Sequence, residues 1–211
     1  MNINCLVLAS TSVYRQQLLA QVGVPVSPRA PDCDEQAITA GTPKELARLR
    51  GEAKACALPR LEPAAQENWL AIGADQVLDF RGAAFGKARD RQEAGERLRL
   101  FQGQEHLLHS AYSIALYQPG AAPILLQSRV ISARMLMRSL APQAIEAYLD
   151  TGEWQGCAGC YQYENRGMQL FERIEGDLST IIGLPLPALL KDLRALGIDL
   201  LEKPAGPWIL V

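Results

Sequence analysis

WLAIGADQVLDFRGAAFGK, residues 69–87, decides how the rest of the chain is read. Its opening run, Trp69-Leu70-Ala71-Ile72, is apolar with no polar alternation. That is the pattern of a short strand covered on both faces in an α/β sheet. The run gives way to Gly73-Ala74-Asp75. In open α/β sheets, ligands collect just beyond the carboxyl ends of the strands. A carboxylate there can hold a metal or take a proton without being sunk in the core. Residues 77–80 and 83–85 then read as a hairpin turned at Arg81-Gly82. Folding back returns Gly86-Lys87 towards Asp75, so acid, tight turn and lysine share one rim. A surface Asp and Lys beside an ordinary hairpin is the other reading of the same residues.

Upstream, residues 4–9 form a second short buried strand, followed by Ser10-Thr11-Ser12-Val13-Tyr14-Arg15. Leu18, Leu19 and Val22 recur at helical spacing until Gly23 stops the helix. A hydroxyl-rich loop entering a helix suits an anion, because free backbone N–H groups and the helix dipole point at it. Arg15 adds a fork of fixed charge. Ser10 or Ser12 acting only as a helix cap is the alternative. Residues 24–30 read as a strand, and Pro31-Asp32-Cys33-Asp34-Glu35 puts three carboxylates at its exit. Such a cluster either binds a hard cation or is a solvated acidic loop. Thr42-Pro43 opens a helix running to about Ala57. Leu46, Leu49, Ala53 and Ala57 form its inward stripe, with Lys54 at the border.

Downstream, residues 89–102 read as an amphipathic helix, and 105–117 with 124–137 as a long antiparallel hairpin. Residues 142–149 and 185–196 read as further helices, with loop and strand at 157–174. With 211 residues, 48% of them hydrophobic, and a net charge of −2, the chain suits one domain spanning 1–211. That balance gives no global basic field for nucleic acid. No apolar run approaches the roughly 20 residues of a membrane span. The start, MNINCLVLASTS, lacks a basic segment and a long apolar stretch, so a cytoplasmic location is expected. The five cysteines are odd in number and scattered, unlike a disulfide framework. Cys157-x-x-Cys160 has redox or zinc spacing, with His106 and His109 as conceivable partners. On a strand, however, i and i+3 point to opposite faces.

Taken in order, LASTSVYRQQLL, PDCDE, the segment around Lys54-Ala55, GADQV, FGK, Gly103-x-x-His106, TGEW, Ala158-Gly159 and EGDLSTIIGLPLPALL resemble the Maf family from about residue 4 to 200. The resemblance implies a two-lobed α/β domain around a mixed, bent central sheet flanked by helices. It implies hydrolysis of a nucleoside triphosphate between the α- and β-phosphates, dependent on a divalent cation, Mg2+ or Mn2+. Carried over by position, Ser10 and Arg15 match the phosphate-holding loop, and Glu35 matches an acid that ligates the metal. Lys54 and Lys87 match the family's lysines, and Asp75 its proton acceptor. The homodimers frequent in that family carry over only by analogy.

Departures point to a branch. The commoner family form is S-x-S-P-R-R, with Thr after GAD and Gln in the later loop. Here Val13, Tyr14, Gln76 and Glu164 stand instead, similar to the branch acting on 7-methyl-GTP. Methylation at N7 makes guanine a cation, which an aromatic face attracts by roughly 0.5–2 kcal/mol. A Glu164 carboxylate can accept from the guanine N1–H and exocyclic amine together. Gln76 is expected to help orient the substrate. A dTTP or UTP pyrophosphatase is the rival within the class. A non-catalytic nucleotide-binding regulator of cell division is the rival outside it.

Overall fold

The computed structural model describes residue 3 and residues 5–24, 26–59 and 67–201. Asn4 and Pro25, which fall in two of the expected strands, lie outside the described residues. The sheet runs β2-β1-β3-β5-β6-β7, with β4 folded against β3. β1 (Leu6–Ala9) pairs in parallel with β2 (Val26–Pro28) on one side and with β3 (Trp69–Phe80) on the other. β4 (Ala83–Phe85), β5 (Glu105–Tyr117), β6 (Ile124–Met137) and β7 (Phe171–Glu175) add antiparallel pairings. The helices are α1 (Val13–Gln21), α2 (Pro43–Cys56), α3 (Arg91–Phe101), α4 (Pro142–Leu149), α5 (Leu178–Ile182) and α6 (Leu186–Ala195). The result is a single α/β domain on a mixed, open sheet.

Two expectations need correction. β3 does not end before Asp75; it continues unbroken to Phe80, with Asp75 opposite Ala111 of β5. What ends there is the neighbour. The parallel ladder from β1 stops at Ala9 opposite Gly73, and the chain of β1 then leaves for α1. Asp75 thus stands at the carboxyl end of β1 rather than of its own strand. Arg81-Gly82 does turn the β3–β4 hairpin, at φ of 56° and 83°. Two successive residues with positive φ suit a tight hairpin turn.

The second correction concerns α2. Its buried residues are Pro43, Ala47, Gly51, Lys54 and Ala55, a stripe rotated away from the leucines. The cause is close approach. A Cβ on Gly73 would stand 2.3 Å from the Ala55 amide nitrogen and from the Gly51 carbonyl oxygen. Only small residues let the helix backbone lie against the strand, so Leu46 and Leu49 swing to partly covered positions. Tyr117 fixes the end of the helix: its hydroxyl donates to the Ala55 carbonyl (3.1 Å) and accepts from the Leu58 amide (3.0 Å). This seating carries Lys54 inward.

The apolar interior divides into two main bodies. One joins Leu6, Leu8, Leu19, Leu70, Ile72 and Leu189; the other joins Leu78, Phe80, Leu98, Phe101, Met135 and Leu149. β3 passes from the first to the second through Asp75-Gln76. These two lobes give the site its walls.

His106 lies in the second lobe with its Nε2 2.7 Å from the Tyr161 hydroxyl, and burial pushes its imidazole down to about 4. The unfolded chain therefore binds a proton at this residue near pH 6.5 while the folded chain does not. This contribution to stability is complete above pH 6.5 and is lost as pH falls towards 4, an effect of about 3 kcal/mol. Urea unfolding from pH 7 to 4 should show the decline, and H106Q should flatten it. An unchanged slope in H106Q would remove His106 from the account.

Candidate active site

The residues matched to the family's site and to its branch line one cleft of about 980 Å³ between the lobes: Ser10, Tyr14, Arg15, Glu35, Lys54, Asp75, Gln76, Lys87 and Glu164. At its centre the Lys54 ammonium is buried, with Nζ 2.7 Å from Asp75 Oδ1 and 2.8 Å from Glu35 Oε2. A buried charge is tolerated when paired. Here one cation bridges acids that arrive from a loop and from the middle of a strand. Asp75 Oδ2 is buried and has no hydrogen-bond partner. An unengaged carboxylate oxygen inside a polar cleft is costly unless a proton, metal or water uses it.

The three acids after β2 do not act as one group. Asp34 Oδ1 accepts from the backbone amides of Gln36 and Ala37, which closes a turn, and only Glu35 reaches Lys54. Among the described residues, no three or more His, Cys, Asp or Glu side chains gather as a ready-made metal cage. The donor set at the centre still fits a hard cation. Magnesium binds through one or two carboxylates and completes its shell with waters and substrate phosphates. Asp75 and Glu35 supply those carboxylates, one with a free oxygen.

Around the loop after β1, Ser10 Oγ accepts from the Ser12 amide and from Arg15 Nη1, both at 3.2 Å. Ser12 occupies the N-cap position of α1 but makes no side-chain cap, so neither serine caps the helix in the usual way. The helix begins at Val13, earlier than its spacing of leucines suggests, which puts Tyr14 and Arg15 in the first turn. Arg15 Nε donates to the Gly183 carbonyl at 3.0 Å. Burial lowers the guanidinium's pKa, and Asp75 and Glu35 oppose that shift.

Gln76 lines the cleft and is also engaged within the protein. Its amide nitrogen is near Ser110 Oγ (2.9 Å), the Thr180 carbonyl (3.1 Å) and the Ile181 carbonyl (2.9 Å). It therefore ties β3 to α5, a helix that the sequence pattern missed. Together Gln76 and Arg15 hold carbonyls at the end of α5.

Lys87 is exposed on the cleft wall after the hairpin. Arg97 of α3 donates to the Gly86 carbonyl and ion-pairs with Glu93 at 2.5 Å, which fixes the turn that presents the lysine. Tyr14, Cys157 and Glu164 share the far end of the cleft. Burial, and then Cys157 and Glu164, raise the Tyr14 phenol. Glu164 is raised by burial, with Glu153 adding to it. Cys157 is pushed up to about 11, chiefly by burial. A thiol held that high is no nucleophile at neutral pH. The cysteines are free, and His106 and His109 are engaged elsewhere: His109 bonds Ser132 Oγ (2.7 Å) and Asp79 (3.2 Å). Arg50 also lines the cleft and was not singled out. Its signal was its position four residues before Lys54 on α2.

A family model described as Maf-like protein matches residues 5–196. The chain belongs to the Maf family. Among Maf relatives, the 7-methyl-GTP pyrophosphatase of Bartonella henselae is 42% identical over 195 residues, covering 90% of this chain and 94% of that one. The nucleoside triphosphate pyrophosphatase of Rhodopseudomonas palustris strain BisB5 is 41% identical over 196 residues, covering 90% and 93%. The 7-methyl-GTP pyrophosphatase of Brucella suis biovar 1 is 39% identical over 197 residues, covering 90% and 94%. Among solved structures, the Staphylococcus aureus Ham1 protein superposes with a TM-score of 0.37 at 16% identity, over 63% of this chain and 70% of its own. That likeness is too loose to carry any argument about the Maf site.

Proposed function

We propose that the chain is a nucleoside-triphosphate pyrophosphatase that cleaves between the α- and β-phosphates and prefers 7-methyl-GTP. The observation that carries the hydrolase reading is the Asp75–Lys54–Glu35 constellation, set in one cleft with Arg15 and Lys87. Asp75 Oδ2, free of any partner, is the acceptor for the proton of an attacking water. Lys54 and Arg15 are fixed in advance by their hydrogen bonds, so they meet the charge that grows on the leaving pyrophosphate without reorganising. Lys87 adds an exposed positive charge on the cleft wall. Glu35 and Asp75 would hold Mg2+ or Mn2+, which when bound polarises phosphoryl oxygens and lowers the pKa of a bound water.

The narrower substrate assignment rests on the far end of the cleft and on the names of the Bartonella and Brucella relatives. Tyr14 offers an aromatic face, and Glu164 lies close enough to raise its phenol. An aromatic face beside a carboxylate complements a cationic base.

Pyrophosphate release measured over 7-methyl-GTP, GTP, dTTP and UTP, with magnesium or manganese, tests both levels. In E164Q the ratio of kcat/KM for 7-methyl-GTP over GTP should fall about tenfold, the scale of one charge-assisted hydrogen bond. The wild-type ratio should also decay on mild acidification, earlier than an ordinary glutamate would allow, because burial raises this carboxyl. An unchanged ratio in E164Q sinks the base-reading role. A wild-type preference for dTTP or UTP replaces the substrate, and absence of pyrophosphate from all four sinks the activity.

A further inference from the structure

We propose that Arg50 is an additional anion-binding residue of this cleft, holding the terminal phosphates of the substrate and then the departing pyrophosphate. The proposal deepens the pyrophosphatase reading and rests on it. Arg50 and Lys54 are four residues apart on α2, so both project from the face that borders the cleft. Arg50 Nε donates to the Glu35 backbone carbonyl at 3.1 Å. The same Glu35 accepts from Lys54 through its side chain. Arg50 is therefore anchored at one nitrogen and joined through Glu35 to the centre of the site.

Its remaining donors meet no acid among the described residues. Among the described residues Arg50 forms no ion pair, whereas its helix neighbour Arg48 pairs with both Glu45 and Glu52. Lys54 already pairs with Asp75 and Glu35, and Arg15 already bonds Ser10 and Gly183, so Arg50 is the guanidinium here with no partner at its Nη groups among the described residues. Arg50 is partly buried, keeps both Nη groups open, and presents a planar fork that matches phosphate oxygens in pairs. A partly covered guanidinium without a counter-charge, on the wall of a cleft, is complementary to a multivalent anion.

The layout of the cleft says which phosphates reach it. Arg50 bonds the Glu35 carbonyl, Glu35 pairs with Lys54, and Lys54 pairs with Asp75, one continuous chain of contacts in the cleft. Tyr14 and Glu164 line the same cleft but take no part in that chain, so the cleft is assigned a Tyr14–Glu164 end and an acid end. Arg50, bonded to Glu35, stands at the acid end. A nucleotide with its base at Tyr14 and its α-phosphate beside Asp75 runs its β- and γ-phosphates on towards Arg50.

The test compares R50Q and R50K with the wild type at fixed magnesium. It measures binding of inorganic pyrophosphate by calorimetry and inhibition by nucleoside monophosphate. Glutamine can still donate to the Glu35 carbonyl but carries no charge, while lysine keeps the charge. R50Q should weaken pyrophosphate binding by about tenfold or more. R50K should stay within about threefold of wild type, since a point charge retains most of the attraction. Inhibition by the monophosphate and the melting temperature should not move in either variant. Pyrophosphate binding by R50Q equal to that of wild type overturns the proposal. So does a parallel loss of pyrophosphate and monophosphate binding in both variants, which would mark Arg50 as a brace for the Glu35 loop. A wild type that releases no pyrophosphate from any nucleotide defeats the hydrolase reading separately, and the calorimetric comparison still decides Arg50.

Discussion

Asp75→Asn should lower kcat for pyrophosphate release by about 10²–10⁴-fold, the range spanned by loss of a general base. The protein should remain folded. Asparagine has the same shape and keeps an oxygen for the Lys54 ammonium, 2.7 Å away in the native pair. What the variant lacks is a basic oxygen at the position of Oδ2, the atom with no partner in the free protein. Lys54 retains Glu35 as a counter-charge, so its burial stays compensated on one side. The measurement is single-turnover release of pyrophosphate, beside circular dichroism and a melting curve. A kcat within threefold of wild type would place the base elsewhere, and the melting curve separates loss of the base from loss of the fold.

Gly73→Ala should be severely damaging for a single added methyl group. The new Cβ would meet backbone atoms of Ala55 and Gly51 at 2.3 Å, and backbone cannot rotate aside. α2 has to lift from β3, which breaks packing and draws Lys54 away from Asp75 together. A cost of about 3 kcal/mol is expected for overpacking of this kind, or roughly 6–12 °C in melting temperature for a chain of this size. Activity should fall further than stability accounts for. Gly51→Ala is the control. Its Cβ would meet the Ala111 Cβ at 3.4 Å and Ser113 Oγ at 3.5 Å, ordinary contact distances, and alanine favours helix. Thermal melts of the two variants decide the matter. Equal, small shifts would show that α2 is not seated on Gly73.

The contrast between these glycines also explains what could be read from the chain beforehand. β5, β6 and α4 fall where their apolar patterns and flanking turn residues put them. Gly73-Ala74-Asp75 looked like a strand end because glycine and aspartate are poor strand formers. In the fold Gly73 is there to admit a helix backbone, and Asp75 is held by a ladder on its β5 side alone. The leucines of α2 suggested an inward face, but close packing selects small residues, and it rotated the helix until Lys54 was enclosed. α5 spans five residues, too few to show a period. Ser10, Tyr14, Arg15, Glu35, Lys87 and Glu164 lie in loops or at ends of elements, where such residues stand out against apolar runs, whereas Asp75 and Gln76 lie mid-strand. Arg50 had only its spacing from Lys54, and Gln76 gave no sign that its amide would be used on α5.

β3 and β5 remain hydrogen-bonded to each other from Trp69 and Tyr117 to Asp79 and Leu107, through both lobes. Along this ladder no loop separates the two walls. Widening the gap for an incoming ligand has to be stored as elastic torsion of a continuous ribbon, which resists in proportion to the opening and springs back. Large excursions fall instead to the short connecting segments at 10–12, 86–90 and 156–164. Breathing of this enzyme should accordingly register in amide exchange along those rims, with the central ladder staying protected.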